Sequence, residues 1–269
     1  MTHHLSRVAM DPWEALICGE EMPEVLTSLA EAGVDATNDL TVVIGAAGGV
    51  GATTTACGLA LATAAAGRPV ALVELDLERG DLAGSWGIPS ERTLDDLTAV
   101  IEELQPNHVE MVCHRHPSGV WVLLAPRRAG AQQWWDASAT RLLLHSTRLL
   151  GQVVADAGPS LGPHVEEACR EASRIVMVTS PTIAGVRRLG GLTAVLDEWG
   201  VRAPRCVISN RGVGRDHLSL RQVARLAGVP IEGELPASPR EADDLHIGQW
   251  RERRRRQAGL GAVLEGLAR

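Results

Sequence analysis

A glycine-rich segment at residues 45–55 has the residue types and spacing of a phosphate-binding loop. It reads Gly-Ala-Ala-Gly-Gly-Val-Gly-Ala-Thr-Thr-Thr, and it lies between an apolar run at 41–44 and an alanine-rich run at 56–62. A strand, a glycine loop and a helix in this order form the setting of a P-loop. Glycines let backbone N–H groups turn toward phosphate oxygens, and the helix N-terminus adds its partial positive charge. The segment therefore predicts a nucleotide site.

The loop departs from the P-loop pattern G-x-x-x-x-G-K-[ST] at its charged position. Ala52 stands where the pattern has a lysine that reaches the β- and γ-phosphates, and Ala46 stands at the first glycine, with Gly45 one residue early. The chain contains no lysine, so all 26 basic residues are arginine. Any replacement cation must be an arginine, which is always charged and binds phosphate through a planar fork. Three arginines could fill that role, although solvated surface positions are their favoured interpretation: Arg79, Arg187 and Arg188.

Acidic residues stand at the ends of two predicted strands. Glu74 and Asp76 close the apolar run at 70–75, and Asp156 follows the run at 152–155. Carboxylates at strand ends that face a phosphate loop can hold Mg²⁺ through water or orient an attacking water. Thr53 would supply a hydroxyl ligand to the same ion. The order and spacing of these residues, more than any single one, indicate nucleotide chemistry.

Composition and charge are those of a soluble protein with a hydrophobic core. With 45% hydrophobic and 22% charged residues, a chain of 269 residues fits one large α/β domain or two small ones. A net charge of −7 argues against a global attraction to nucleic acid or anionic lipid. Five cysteines without close pairs predict reduced thiols in a cytoplasmic protein. Because no apolar run approaches ~18 residues, we expect any membrane contact to be peripheral.

From residue 39 onward, apolar strands alternate with amphipathic helices. This pattern predicts an α/β fold, a doubly wound and mostly parallel sheet with helices on both faces. Predicted strands are 41–44, 70–75, 120–124, 152–155, 174–179 and 205–209. Predicted helices are 53–66, 93–103, 138–149, 162–172, 182–199, 217–226 and 255–268. We interpret residues 39–269 as one P-loop domain and residues 1–38 as an N-terminal appendage, with a short strand at 13–18 and a helix at 23–32.

Taken together, these motifs resemble those of the ParA/MinD superfamily of deviant P-loop ATPases, over residues 39–269. In detail the chain resembles the CpaE/TadZ branch, including the septum-site-determining type found near secretion genes. The matching segments are Gly-Gly-Val-Gly-Ala-Thr-Thr at 48–54, the acidic stretch at 74–82, Thr-Ser-Pro-Thr at 179–182, Ser-Asn-Arg at 209–211 and Glu-Leu-Pro at 234–236.

The resemblance implies a role for each matching residue, with ATP and Mg²⁺ as cofactors. Asp76 would position the attacking water, and Asp156 would hold Mg²⁺ through water while Thr53 contacts the ion. Asn210 would hydrogen-bond the adenine base, and Pro236 would pack on it. The residues expected to wrap the phosphates are Gly48, Gly49, Val50, Gly51, Ala52, Thr53 and Thr54.

The chain departs from the family pattern at three positions, and two of these departures remove a positive charge. The signature lysine, which reaches the partner's phosphate across the dimer, falls at Ala47, and the P-loop lysine falls at Ala52. The first switch carboxylate is Glu74 rather than an aspartate. Because charge stabilisation supplies much of phosphoryl-transfer catalysis, we expect hydrolysis to fall by ~10³-fold or more. Binding should fall less, because backbone N–H groups and Mg²⁺ remain.

Three functional hypotheses follow. The first is a CpaE/TadZ-like positioning protein, a homodimer that localises a pilus or secretion ATPase or marks the septum, and the two alanines favour the first and third hypotheses over the second. Such a protein would be cytoplasmic, recruited to the pole, the septum or the inner membrane surface, and would bind ATP weakly or as a structural ligand. The second hypothesis is an active partition-type ATPase that binds DNA non-specifically through its C-terminal arginines. The third is a pseudo-ATPase scaffold that binds no nucleotide.

Three other features have ordinary structural explanations. The arginine-rich run at 251–256 and the stretch after it predict a final helix packed on the domain, with a membrane-surface or DNA-binding helix as the alternative. The Cys-His-Arg-His sequence at 113–116 lacks a second ligand pair, so a zinc site is not favoured. Trp134 and Trp135 indicate core packing, with a partner-binding patch as the alternative.

Overall fold

All six strands predicted from apolar runs lie in one sheet. The computed structural model describes residues 39–127, 130–210, 218–236, 238–249 and 260–268. The predicted doubly wound, mostly parallel α/β fold is confirmed. The strands are β1 (Leu40–Gly45), β2 (Val70–Glu74), β3 (His114–Arg115), β4 (Trp121–Leu123), β5 (Gln152–Asp156), β6 (Arg174–Thr179), β7 (Arg205–Asn210) and β8 (Gly233–Leu235).

The strand order places β1 near the centre of the sheet. The order is β3-β4-β2-β5-β1-β6-β7-β8, and every neighbouring pair is parallel except β3 and β4. The change of direction in strand order around β1 opens a crevice at the carboxyl ends of the strands, where ligands bind in folds of this kind. The glycine loop leaves the sheet at that crevice.

Helices cover both faces of the sheet. They are α1 (Ala52–Ala65), α2 (Leu82–Ser85), α3 (Pro106–Val112), α4 (Ala137–Arg148), α5 (Pro163–Glu171), α6 (Ile183–Glu198), α7 (Leu220–Ala227), α8 (Pro239–His246) and α9 (Leu260–Leu267). Two 3₁₀ segments, Leu94–Glu103 and Ala131–Trp134, complete the described elements. The helix predicted at 93–103 is thus 3₁₀ in geometry, with a kink at Val100.

Two hydrophobic clusters lie on opposite faces of the sheet and share its central strand. Val42 and Ile44 of β1 belong to one cluster, whereas Val43 belongs to the other. Successive side chains of a strand point to opposite faces, so a strand covered on both sides must be apolar throughout. Every residue of β1 is buried. This is why the apolar runs identified the central strands and their bounds.

The elements that the sequence did not predict are short or polar. β3 has two residues, and β8 reads Gly-Glu-Leu, which gives no apolar periodicity. α8 reads Pro-Arg-Glu-Ala-Asp-Asp-Leu-His and buries only its leucine. The strand and helix predicted within residues 1–38 lie outside the described residues, as does the arginine-rich run at 251–256.

The final helix packs on the domain, as predicted for the part of it that is described. α9 contacts α1 and β8, and Leu264 is fully buried. Gly58 of α1 permits this approach, because a Cβ at position 58 would collide with the Leu264 side chain. None of the described helices is long and apolar enough to span a membrane.

The tandem tryptophans and the Cys-His-Arg-His sequence at 113–116 each place some of their residues in the core. Trp135 is buried, whereas Trp134 is exposed. Cys113 and His114 are both buried, and His114 Nε2 lies 2.8 Å from the carbonyl oxygen of Arg92. The tandem tryptophans therefore divide between core packing and surface.

We expect Leu264→Ala to destabilise the protein by about 2–5 kcal/mol, because it leaves a cavity between α9 and α1. The free energy of unfolding from urea titration measures this loss. Glu265→Ala changes an exposed residue of the same helix and serves as the control. Equal stabilities of the two variants would show that α9 is not docked on α1.

Candidate functional site

The loop between β1 and α1 presents free backbone N–H groups to the crevice. Gly49 and Gly51 have φ values of 74° and 92°, which residues with a side chain rarely adopt. Gly51 is the N-cap of α1, and no side chain of the described residues caps that helix end. The first-turn N–H groups and the positive end of the helix dipole therefore remain available to an anion.

Backbone hydrogen bonds fix the base of this loop to the neighbouring strands. Gly45 N donates to the carbonyl oxygen of Gly158 at 2.8 Å, and Ala46 N donates to that of Val178 at 2.8 Å. Because Gly158 follows β5 and Val178 belongs to β6, the loop is held from both sides. Its position is thus set by the sheet.

Asn210 holds the same loop from the end of β7. Its Nδ2 donates to the carbonyl oxygen of Val50 at 2.8 Å. A Cβ at position 51 would collide with that Nδ2, so Gly51 is required for close approach as well as for its backbone conformation. The structure therefore places Asn210 against the loop, and its contact with adenine stays a prediction. Pro236, the predicted base-packing residue, is half-buried directly after β8.

Strand register brings the predicted carboxylates together. Glu74 of β2 pairs with Asp156 of β5, and Asp156 pairs with Val43 of β1 on its other side. Asp76 lies two residues beyond Glu74, at the carboxyl edge of the sheet. Three acidic side chains therefore converge below the phosphate loop.

Asp156 is buried beside the hydroxyl that was predicted to bind Mg²⁺. It is 1% exposed, its Oδ1 accepts from Gly158 N at 3.1 Å, and it shares a side-chain hydrogen bond with Thr53. Burial raises the pKa of Asp156 to about 6, while the Thr53 hydrogen bond opposes the rise. A carboxylate that orients a threonine hydroxyl at a phosphate loop is the arrangement expected for a Mg²⁺ site.

Asp76 is 7% exposed and lines the crevice. Its Oδ1 is buried and has no hydrogen-bond partner among the described residues. Burial raises the pKa of Asp76, and the Arg79 guanidinium opposes that rise. Gly158 packs against the same carboxylate so closely that a Cβ there would collide with it. An unsatisfied buried carboxylate oxygen needs a donor or a cation, so Asp76 fits contact with water or hydrated Mg²⁺.

Glu74 has a structural role that an aspartate could not fill in the same way. Its Oε1 accepts from Leu82 N and its Oε2 accepts from Ala125 N, both at 2.8 Å. Burial raises the pKa of Glu74 to about 7. Gly80 leaves room for it, because a Cβ at position 80 would collide with the carboxylate. Glu74 therefore ties α2 and the end of β4 to β2.

A cleft of about 710 Å³ lies over the loop, within the usual size of a small-molecule site. Besides the residues predicted from the sequence, the lining includes Ala47, Arg79, Pro159 and His246. Asp156 lies beneath Thr53, and neither Val50, Asn210 nor Pro236 lines the cleft. A smaller cavity of about 260 Å³ sits at the opposite, amino end of the strands, and none of the predicted site residues line it. The predicted residues that line the cleft are Gly48, Gly49, Gly51, Ala52, Thr53, Thr54 and Asp76.

His246 is a cleft residue that the sequence did not indicate. It closes α8, and its Nε2 lies 2.9 Å from Ser85 Oγ of α2. α8 lies far from the loop in sequence and has no apolar pattern, so no local signal connects the two. Only the packing of α8 against α1 brings His246 to the cleft.

Comparison with known proteins agrees with this architecture. The family model for the CobQ/CobB/MinD/ParA nucleotide-binding domain matches residues 41–245. The uncharacterized protein Rv3660c of Mycobacterium tuberculosis (strain ATCC 25618 / H37Rv) is 30% identical over 244 residues, which cover 88% of this chain and 67% of that protein. The chain therefore belongs to the CobQ/CobB/MinD/ParA nucleotide-binding domain family.

Solved structures share the fold at low sequence identity. The ParA family ATPase from Chlorobium tepidum TLS has a TM-score of 0.71 and 18% identity, over 80% of this chain and 90% of that one. The septum site-determining protein MinD from Pyrococcus horikoshii OT3, solved with Mg-ADP, has a TM-score of 0.68 and 20% identity, over 86% of this chain and 94% of that one. Both confirm the ParA/MinD-like sheet and helix arrangement.

The raised pKa of Glu74 predicts a pH dependence of stability. The folded state holds this proton up to about pH 7, whereas the unfolded side chain loses it near the ordinary value of 4.5. The stabilisation is therefore complete below pH 4.5 and is lost as the pH rises through about 7, with a total of roughly 3 kcal/mol. We expect Glu74→Gln, which mimics the protonated form, to lose less stability than the wild type between about pH 5 and pH 8.

Chemical denaturation at the two pH values measures this difference. Asp156, whose pKa is raised to about 6, retains a dependence of the same sign in the variant. Glu102→Gln, at an exposed position, is the matched control. If Glu74→Gln and the wild type lost equal stability over this range, Glu74 would not be the titrating group.

Proposed function

We propose that this protein is a nucleotide-dependent positioning factor of the CpaE/TadZ type, which binds ATP with Mg²⁺ and hydrolyses it slowly or not at all. The supporting observation is a glycine loop that lines the cleft, with Thr53 hydrogen-bonded to Asp156 beside it and with Ala47 and Ala52 at the two lysine positions. Binding of the intact nucleotide would use the backbone N–H groups of the loop and Mg²⁺, which do not depend on a lysine. Hydrolysis needs the positive charge that these two positions lack.

Mg²⁺ would be held by the Thr53 hydroxyl, with Asp156 acting through water. When bound, the ion neutralises phosphate charge that the loop alone cannot balance. Asp156 fixes the orientation of Thr53, and Asp76 has an oxygen without a hydrogen-bond partner among the described residues, at the cleft edge where an attacking water would stand. Asn210 stiffens the loop through Val50, so the N–H groups are arranged before nucleotide arrives.

The proposed assembly is a homodimer that meets at the nucleotide face and recruits a pilus or secretion ATPase, or a polar or septal protein. Two apolar side chains support an interface at this edge of the sheet. Leu161, in the segment after β5, is 49% exposed, and Ile183, at the start of α6, is 60% exposed. Leu161 follows β5 and Ile183 follows β6, the two strands that flank β1. Both residues therefore lie at the carboxyl edge of the sheet, where the cleft lies. Such a protein would act in the cytoplasm at the pole, the septum or the inner membrane surface.

Calorimetric titration with ATP and Mg²⁺ tests the nucleotide part of the proposal. We expect micromolar binding to the wild type, weakened about tenfold or more in Thr53→Ala because a charge-assisted contact is lost. Thr193→Ala, on α6 away from the cleft, is the matched control and should bind as the wild type does. Asp76→Ala should still bind ATP, since its carboxylate faces the attacking water.

Absence of any heat at millimolar nucleotide would leave the scaffold hypothesis. Rapid hydrolysis by the wild type would instead support the partition-type ATPase, and a DNA-binding assay would then follow. The proposed homodimer is tested separately by size-exclusion chromatography with light scattering, with and without ATP. A monomer under both conditions would contradict the proposed dimer.

Restoring a lysine should strengthen nucleotide binding. Ala52 lines the cleft at the first position of α1, so Ala52→Lys would place an ammonium group where the P-loop pattern has one. We expect ATP affinity to rise by roughly tenfold, and hydrolysis to become measurable. Ala65→Lys, which adds the same charge at the exposed far end of the same helix, is the control for a non-specific electrostatic effect.

A further inference from the structure

Acidic side chains lie in the cleft and directly behind it. Asp76 lines it, and Glu74 and Asp156 are buried directly behind it. A nucleotide adds several more negative charges. Backbone N–H groups and the end of the α1 dipole offer only partial positive charge, equivalent to roughly half a unit at a helix terminus. A fully charged cationic side chain at the cleft would therefore contribute more to nucleotide affinity here than in a P-loop that already contains a lysine.

Two side chains among the described lining residues can carry that charge, Arg79 and His246. The other two arginines considered from the sequence, Arg187 and Arg188, are exposed on α6 and do not line the cleft. His246 is already engaged with Ser85 Oγ at 2.9 Å. Arg79 is charged at every physiological pH and presents a fork that matches phosphate oxygens.

The turn after β2 fixes where Arg79 starts. Arg79 N and Gly80 N donate to the carbonyl oxygen of Asp76 at 3.3 and 2.9 Å. A side chain at Gly80 would displace the Glu74 carboxylate, so the turn packs directly against that buried carboxylate. Arg79 is therefore anchored three residues from Asp76, and its charge already acts on that carboxylate.

The present partner of Arg79 is weak enough to be exchanged. Its guanidinium lies 3.7 Å from Glu78 Oε2, with the two side chains 61% and 54% exposed. Exposed ion pairs of this kind contribute little to stability, because solvent screens them and ordering two long side chains opposes them. A bidentate contact with phosphate is stronger and more directional.

We propose that Arg79 binds the nucleotide phosphates from within the same chain and provides the cationic contact that Ala47 and Ala52 lack. This inference rests on the nucleotide binding proposed above. The cation would come from the turn after β2 instead of from the phosphate loop. Arg79 would exchange the Glu78 carboxylate for phosphate oxygens when Mg-ATP enters the cleft.

The test is the affinity of the full chain for Mg-ATP in the wild type and a set of variants. Arg79→Ala should weaken binding about ten- to hundredfold, the range expected for loss of a charge-assisted contact. Arg79→Lys should restore part of the loss, because an ammonium keeps the charge without the fork. Arg187→Ala removes the same charge from an exposed position of α6 and should bind as the wild type does. In an Ala52→Lys background, Arg79→Ala should cost less, because the new lysine meets the same phosphates.

The outcomes separate this inference from the proposed function. If the wild type binds Mg-ATP and Arg79→Ala binds it equally well, Arg79 is not the phosphate cation and nucleotide binding still stands. If His246→Gln weakens binding and Arg79→Ala does not, the contact belongs to His246 and the inference is overturned. If the wild type binds no nucleotide, both fall together. Thermal unfolding of each variant shows whether a loss of affinity reflects a loss of fold.

Discussion

The parallel register of β1, β2 and β5 is the constraint on which the rest of the site depends. It sets Glu74 opposite Asp156 and brings both beside the strand that leads into the glycine loop. Buried carboxylates cost free energy unless donors replace the lost water. Backbone N–H groups of residues 82, 125 and 158 do so for this pair. The loop, α2 and the segment after β5 can therefore take only conformations that keep these donors in place.

Because these acidic side chains lie at the cleft, nucleotide affinity depends strongly on a positively charged side chain there. A lysine rooted in α1 would stand over the phosphates whether or not a nucleotide is present. An arginine on the exposed turn at Arg79 has to give up an ion pair and side-chain freedom before it reaches them. Affinity supplied in this way is lower for the same contact, because ordering the side chain opposes binding. It also makes the turn after β2 sensitive to whether nucleotide is bound.

Much of the fold could be predicted because central strands buried on two faces are mostly apolar, as β1 is apart from Thr41. The edge strand β8 has three residues, and α8 is almost wholly polar, so neither has a local pattern. The glycine loop and the acidic strand ends were readable because their chemistry requires fixed residue types. The hydrogen bond from Asn210 to Val50 and the arrival of His246 could not be read, since both depend on tertiary packing between distant segments. Glu74 was readable as a departure from pattern, but its two backbone contacts were not.

A site that binds nucleotide without stabilising the transition state would be controlled by binding and release. A ligand shifts a conformational equilibrium only by its difference in affinity for the two states. The turn at Arg79 would be the source of that difference, because there a protein contact is replaced by a ligand contact. The turn leads directly into α2, where Ser85 meets His246 and Trp86 lies 4.8 Å from the His116 ring. Ordering of Arg79 on phosphate would thus act on a packed junction of α2, α8 and the β3–β4 hairpin. A protein of this design could report nucleotide occupancy to a partner for as long as the nucleotide stays bound.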